Sequence, residues 1–175
     1  MVTESWDVYD RAGNKTGQTR GRDEKFRPDE YGLCASLWIA RPDGKLLIQK
    51  RAPQKKYAPG KWSITGGVVR AGETSAQGCL REVAEEIGLE LNPEDIEFLN
   101  RSFGEHVIFD DYAAACDLPL SAFTLQTEEV SEIRWAGIPE IRAMFEAGEF
   151  LFDDMSEMDM LAAYMKKRGF GDGKA

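Results

Sequence analysis

Four glutamates, one arginine and two glycines stand at fixed separations in residues 67–89, GVVRAGETSAQGCLREVAEEIGL. Glu73 stands alone, Glu82 follows Arg81, and Glu85 and Glu86 are adjacent. Carboxylates crowded this closely repel one another unless a cation sits among them. Hard oxygen donors suit a divalent ion such as Mg²⁺, and an ion held this way neutralises phosphate charge and makes a bound water more acidic.

The element that must carry these groups is a helix over residues 75–87. Thr74 and Gln77 have the spacing of a capping box, good helix formers follow, and Gly88 falls where a left-handed C-terminal residue is wanted. At about 100° per residue, Ala76, Leu80, Val83 and Ile87 make a core-facing stripe roughly 60° wide, with Glu82, Glu85 and Glu86 expected on the opposite, wet side. A solvated acidic face is the ordinary fate of such residues. Glu73 and Arg81 at the same turn, and Gly78 inside a helix at a cost of about 1 kcal/mol, favour a functional face and a close backbone neighbour at Gly78.

The segment is similar at every fixed position to the Nudix box, G-x5-E-x7-R-E-U-x-E-E-x-G-U with U aliphatic, through Gly67, Glu73, Arg81, Glu82, Val83, Glu85, Glu86, Gly88 and Leu89. The box covers 67–89 directly, and the order of strands and turns resembles the family from about residue 6 to 141. The resemblance implies an α/β (α+β) fold, an α/β/α sandwich with a mixed β-sheet, and hydrolysis of a diphosphate linkage in a nucleoside di- or triphosphate or a related nucleoside-diphosphate-X compound. It also implies Mg²⁺, with Mn²⁺ able to substitute, held by Glu82, Glu85, Glu86 and the carbonyl of Gly66. Glu82 or Glu85 could instead orient or deprotonate the attacking water. Arg81 is expected to hold Glu73 and the ligand glutamates in place, with substrate contact as the alternative. Gly67, Glu73 and Gly88 are expected to be structural. Many members use a further base from outside the box, for which Glu129, within the acidic run Glu128, Glu129 and Glu132, and Glu105 are candidates.

A second cluster lies in "KRAPQKKYAPGKW", residues 50–62. Its Arg51, Lys55, Lys56, Pro59-Gly60 and Trp62 resemble the isopentenyl-diphosphate-isomerase-like branch of the superfamily. Arginine offers a fork and lysine a point charge to diphosphate oxygens, so Arg51, Lys55 and Lys56 are substrate-binding candidates; a solvated basic loop is the plain alternative. The isomerase itself is disfavoured. Its cysteine position falls on Gly66, its strand histidine is absent at Tyr31-Gly32, and His106, expected to be structural, is the only histidine. Isomerisation of an isoprenoid diphosphate and a non-catalytic nucleotide-binding module stay as alternatives to hydrolysis.

The rest of the chain is built to position these groups. A hairpin is expected over about 5–25, with the Gly-Asn turn of "RAGNK". Apolar strands "YGLCASLWIA" and "KLLIQKR" are joined by "RPDGK", and a short strand near Trp62 delivers the chain to Gly66 and Gly67. After the box come "IEFLNRSFG", "HVIFDDYAAACDL" and "VSEIRWAGI" as strands, then helices over about 138–168 with Pro139 at a helix start, and a tail expected to fray. A length of 175 residues fits a single domain, 1–175.

Composition narrows the partners. A net charge of −9 repels nucleic acid and anionic membranes, so neither is expected; a small-molecule diphosphate is. No apolar run approaches the ~18 residues of a membrane span, and a cytoplasmic location is the default. Cys34, Cys79 and Cys116 are too widely spaced for a zinc site and odd in number for a disulfide framework. A homodimer accords with the superfamily, although no sequence feature specifies one.

Overall fold

The computed structural model describes residues 5–21, 24–151 and 157–171. Residues 22–23 of the expected hairpin, 152–156 of the expected helical region and 172–175 of the tail lie outside them.

A hairpin of β1 (Ser5–Tyr9) and β2 (Lys15–Gly21) forms a small sheet. It is followed by β3 (Gly32–Ala40), β4 (Leu46–Arg51), β5 (Trp62–Ser63) and β6 (Thr65–Val68). Helix α1 (Ser75–Ile87) precedes β7 (Ile96–Phe103), β8 (Val107–Ala115) and β9 (Val130–Ala136), and α2 (Ile138–Glu146) and α3 (Glu157–Lys167) follow.

The large sheet is mixed. β3 pairs in parallel with β8 along its whole length and antiparallel with β6, Ser36 facing Gly66 and Ala35 facing Gly67. β4 touches β3 only at Ala40 and Leu46, then splays away to pair with β9 and β5. β7 closes the other edge against β8.

Strand β3 is buried on both faces, which is why GLCASLWIA reads as an apolar run rather than an alternation. Leu33, Leu37 and Ile39 meet Cys79, Val83 and Ile87 of α1 on one side. Trp38 and Ala40 meet Ile141 and Met144 of α2 and Leu161 and Met165 of α3 on the other. Helices therefore cover both faces, the α/β/α arrangement that the resemblance implied.

α1 starts and stops where its signals are. Thr74 Oγ1 accepts from the Gln77 amide at 3.2 Å, Gln77 Oε1 accepts from the Thr74 amide at 2.9 Å, and Gly88 adopts φ 67°. Gly78 has its close neighbour: a Cβ there would lie 2.9 Å from Val69 Cγ2 and 3.1 Å from Val69 Cα. The hairpin lies over the start of β3, where a Cβ on Gly32 would meet the Trp6 ring at 2.3 Å. No helix among the described residues is long and apolar enough to cross a membrane.

Candidate active site

The three glutamates of α1 do not share one wet face. Glu86 is 6% exposed, whereas the side chains of Glu82 and Glu85 are 17% and 43% exposed. Measured from the centre of the predicted apolar stripe, Glu86 lies about 90° away, Glu82 about 130° and Glu85 about 170°, so burial falls in the order of that angle. The buried arc is turned toward Cys79 and Glu86, and Leu80 instead faces a small surface depression with Ala84 and Leu91. This corrects the expectation of a uniformly solvated acidic side.

Burial of Glu86 is offset by three donors from the strands beneath it. Its Oε2 accepts from Gln49 Nε2 at 2.8 Å, Thr65 Oγ1 at 2.8 Å and the Gly66 amide at 3.2 Å. Burial pushes its carboxyl above the ordinary range, these bonds pull it back, and the charge of Glu129 pushes it up again, leaving it raised. Glu82 is also raised, by burial first and then by Glu86 and Glu85, against the opposing guanidinium of Arg81.

Arg81 ties the box together. Its Nε and Nη2 reach Glu73 at 2.7 and 3.0 Å, Nη2 also reaches the Val68 carbonyl at 2.7 Å, and Nη1 reaches Glu82 at 2.6 Å and Glu85 at 3.2 Å. Glu73 in turn accepts from the Arg70 amide at 2.8 Å. One side chain thus connects the turn before the helix, the end of β6 and two helical turns.

Gly66 and Gly67 form a thin wall. On one side the Glu82 carboxyl lies so close that a Cβ on Gly67 would be 2.5 Å from it, and Glu86 binds the Gly66 amide. On the other side the same two glycines line a cavity of about 330 Å³. A Cβ on Gly66, at φ 156°, would lie 2.5 Å from the Ala35 carbonyl oxygen and 2.6 Å from Ser36 Cα. At Gly66 the neighbours are backbone, so only glycine fits there, whereas a side chain at Gly67 would displace the Glu82 carboxyl.

The basic loop is divided by the structure. Arg51 lines the cavity and its Nε donates to the Tyr57 carbonyl at 3.1 Å. Lys55 is paired with Glu129, whose charge is felt by Glu86, so this candidate base and this candidate phosphate ligand neutralise each other beside the helix. Lys56 is exposed. Glu105 is exposed in the β7–β8 turn and does not line the cavity. His106 has Nδ1 3.1 Å from the Glu30 carbonyl, a structural placement. Burial pushes the thiols of Cys34 and Cys79 up to about 12, the opposite of what a nucleophile needs.

Among the described residues, no three His, Cys, Asp or Glu side chains converge closely enough to enclose a cation. The donor set nevertheless fits one. All three hydrogen bonds to Glu86 fall on Oε2, which leaves Oε1 for another partner, and Glu82 and Glu86, raised first by burial and then by neighbouring carboxylates, are hard oxygen donors whose crowding a cation would relieve.

Five polar cavity residues escaped the sequence reading: Ser36, Ser63, Ser102, Asp111 and Glu157. The signal for one of them was present, since "FDDY" interrupts an otherwise apolar strand with two charges, and such a strand buries at least one of them.

Residues 30–153 match the family model of the NUDIX domain. An uncharacterized Nudix hydrolase of Listeria monocytogenes, lmo0368, is 38% identical over 152 residues, which is 85% of this chain and 88% of that protein. Nudix hydrolase 3 of Arabidopsis thaliana is 32% identical over 81% of this chain, although the match covers only 20% of that longer protein. Among solved structures, DR0079 from Deinococcus radiodurans superposes with a TM-score of 0.73 at 21% identity, covering 94% of this chain and 98% of its own. The NUDIX domain of Shewanella oneidensis NrtR, crystallised with ADP ribose, has a TM-score of 0.60 at 19% identity, covering 76% and 87%. The family model spanning most of the chain, together with a 38% identical relative matched over 88% of its own length, establishes that this chain belongs to the Nudix family and is a hydrolase of phosphorus-containing acid anhydrides.

Proposed function

We propose that the protein is a divalent-metal-dependent pyrophosphohydrolase that cleaves a diphosphate linkage in a nucleoside di- or triphosphate or a nucleoside-diphosphate-X compound by attack of water at phosphorus. The observation that supports this most directly is the glycine wall. Gly67 lies against the Glu82 carboxyl and Gly66 donates to Glu86, and the same two glycines line the cavity in which a diphosphate would lie.

Glu82, Glu85, Glu86 and the Gly66 carbonyl would hold Mg²⁺ or Mn²⁺, which supplies charge neutralisation at the diphosphate and a water acidic enough to attack near neutral pH. The chain's own residues do the positioning. Arg81 keeps Glu73, Glu82 and Glu85 in fixed relation, and diphosphate hydrolysis depends on such alignment because the anionic centre repels nucleophiles. Arg51, at the cavity wall, is placed to meet a phosphate oxygen with a fork of donors. Lys56 has a solvated ammonium that can follow. Glu129 is the candidate extra base beside Glu86, provided Lys55 releases it to a phosphate.

The test is a phosphate-release screen over nucleoside di- and triphosphates, nucleotide sugars and dinucleotides with Mg²⁺ and with Mn²⁺. ADP ribose belongs in it as one compound of the class. Release that requires the ion and is lost in Glu85→Gln and Glu86→Gln supports the reading. Turnover of isopentenyl diphosphate without phosphate release, or tight binding without any turnover, would replace it.

A further inference from the structure

The cavity beyond the glycine wall has a polar floor for which the hydrolytic chemistry has no use. Asp111 is 2% exposed and Glu157 9%, and both line the cavity. Asp111 Oδ1 accepts from the Ser36 hydroxyl, and Glu157 Oε2 accepts from Trp38 Nε1 at 3.2 Å. Burial pushes the Asp111 carboxyl above its ordinary range, and hydrogen bonding to Ser36 and Glu157 opposes that push.

Two floor atoms are left over. Asp111 Oδ2 and, on a residue 6% exposed, Ser63 Oγ have no hydrogen-bond partner among the described residues. Folded proteins rarely leave buried oxygens unmatched, and each one marks a position where a ligand or water belongs. The surrounding walls are apolar, from Ile64, Phe109 and Leu151. A largely apolar cavity of about 330 Å³ with a few convergent polar atoms is the usual form of a small-molecule site.

Resting on the proposed hydrolase reading, we infer that Asp111, Glu157 and Ser63 select the group carried on the diphosphate by accepting two neighbouring hydrogen-bond donors from it. Two substrate fragments present that chemistry: the N1–H and 2-amino edge of guanine, and the 2′,3′-diol of ribose. Adenine offers an acceptor where guanine offers N1–H, so a carboxylate floor rejects its edge. Partners for both ends of one ligand thus sit in one cavity, with Arg51 and the glycine wall for phosphate and the acidic floor for the donors.

Magnesium-free calorimetric titration with GMP, AMP and the 2′,3′-dideoxy form of each tests this. The expected result is discrimination of about tenfold or more, because a site built to bond a donor rejects the analogue lacking it. GMP over AMP identifies the base edge, and ribo over dideoxy identifies the diol. Asp111→Asn, which turns an acceptor partly into a donor, erodes that preference. So does Ser63→Ala, which folds normally because its hydroxyl has no partner among the described residues to lose. Equal binding of all four probes, an unchanged preference in both variants, or no binding of any probe would overturn the inference. Phosphate release is followed in parallel: its absence with the binding preference intact removes the hydrolase reading and leaves the selectivity floor standing.

Discussion

Removing the Arg81 guanidinium should cost more stability than any other single change in the box. Its side chain is 17% exposed and makes four charge-assisted bonds to Glu73, Glu82 and Glu85 and one bond to the Val68 carbonyl. The Glu85 bond, to a side chain 43% exposed, adds little. The others involve partly buried partners, of which Glu73 keeps the Arg70 amide, and breaking one side of a buried pair costs about 3–5 kcal/mol, the upper bound here. For a chain of this length each kcal/mol is worth about 2–4 °C, so Arg81→Ala should melt roughly 6–20 °C lower by circular dichroism. Arg81→Lys keeps the charge but not the fork that reaches Glu73 twice, and it should recover only part of the loss. A cycle with Glu73→Gln should show coupling of about 0.5–3 kcal/mol. An Arg81→Ala protein within 1 kcal/mol of the parent, or Arg81→Ala and Glu73→Gln effects that simply add, would show that these bonds do not hold the box together.

Other outcomes follow from the same geometry. Glu86→Gln keeps an oxygen for Gln49, Thr65 and Gly66 but loses the charge, so metal-dependent phosphate release should fall by about 10²–10³ in a colorimetric assay while circular dichroism stays that of the parent. Gly66→Ala drives a methyl into the β3 backbone and should lower the urea midpoint by the equivalent of about 1–3 kcal/mol or more. Acid unfolding is expected in two parts. Burial pushes the Glu73 carboxyl up, but Arg81 and the Arg70 amide outweigh it and hold it below the usual range. Its contribution is therefore present above its unfolded pKa and lost as pH falls through the depressed folded value. Asp111 is raised, so it acts with opposite sign, and stability declines as pH rises past the ordinary carboxylate range toward its folded value. Thermal melts from pH 3 to 8 on the parent and Asp111→Asn separate the two, and the variant should show a shallower second slope, with the remainder belonging to Glu82 and Glu86, which are raised as well.

What the sequence disclosed was what local chemistry decides. The Thr74 and Gln77 caps, the left-handed Gly88 and the two-sided apolar run of β3 needed no distant partner, and each element stands where those residues put it. The fate of each carboxylate was less legible because it depends on residues far away in the chain. Glu86 is sheltered by Gln49 and Thr65, which a helical projection of α1 cannot show. Lys55 looks like a free phosphate ligand until β9 brings Glu129 to it from 74 residues away. Asp111 drew no attention because the partners that give it meaning, Ser36 and Glu157, come from opposite ends of the chain.

That last juxtaposition bears on how the protein is made. Domains emerge from the ribosome N-terminal end first, so β3 and β8 are complete while α3 is still being synthesised. Until Met158, Leu161 and Met165 arrive, the sheet face bearing Trp38 and Ala113 lacks part of its apolar cover, and exposed strand surface of this kind is prone to aggregate. Covering that face, and bringing Glu157 to the cavity floor beside Asp111 and Ser63, therefore waits on α3 and not on formation of the Nudix helix.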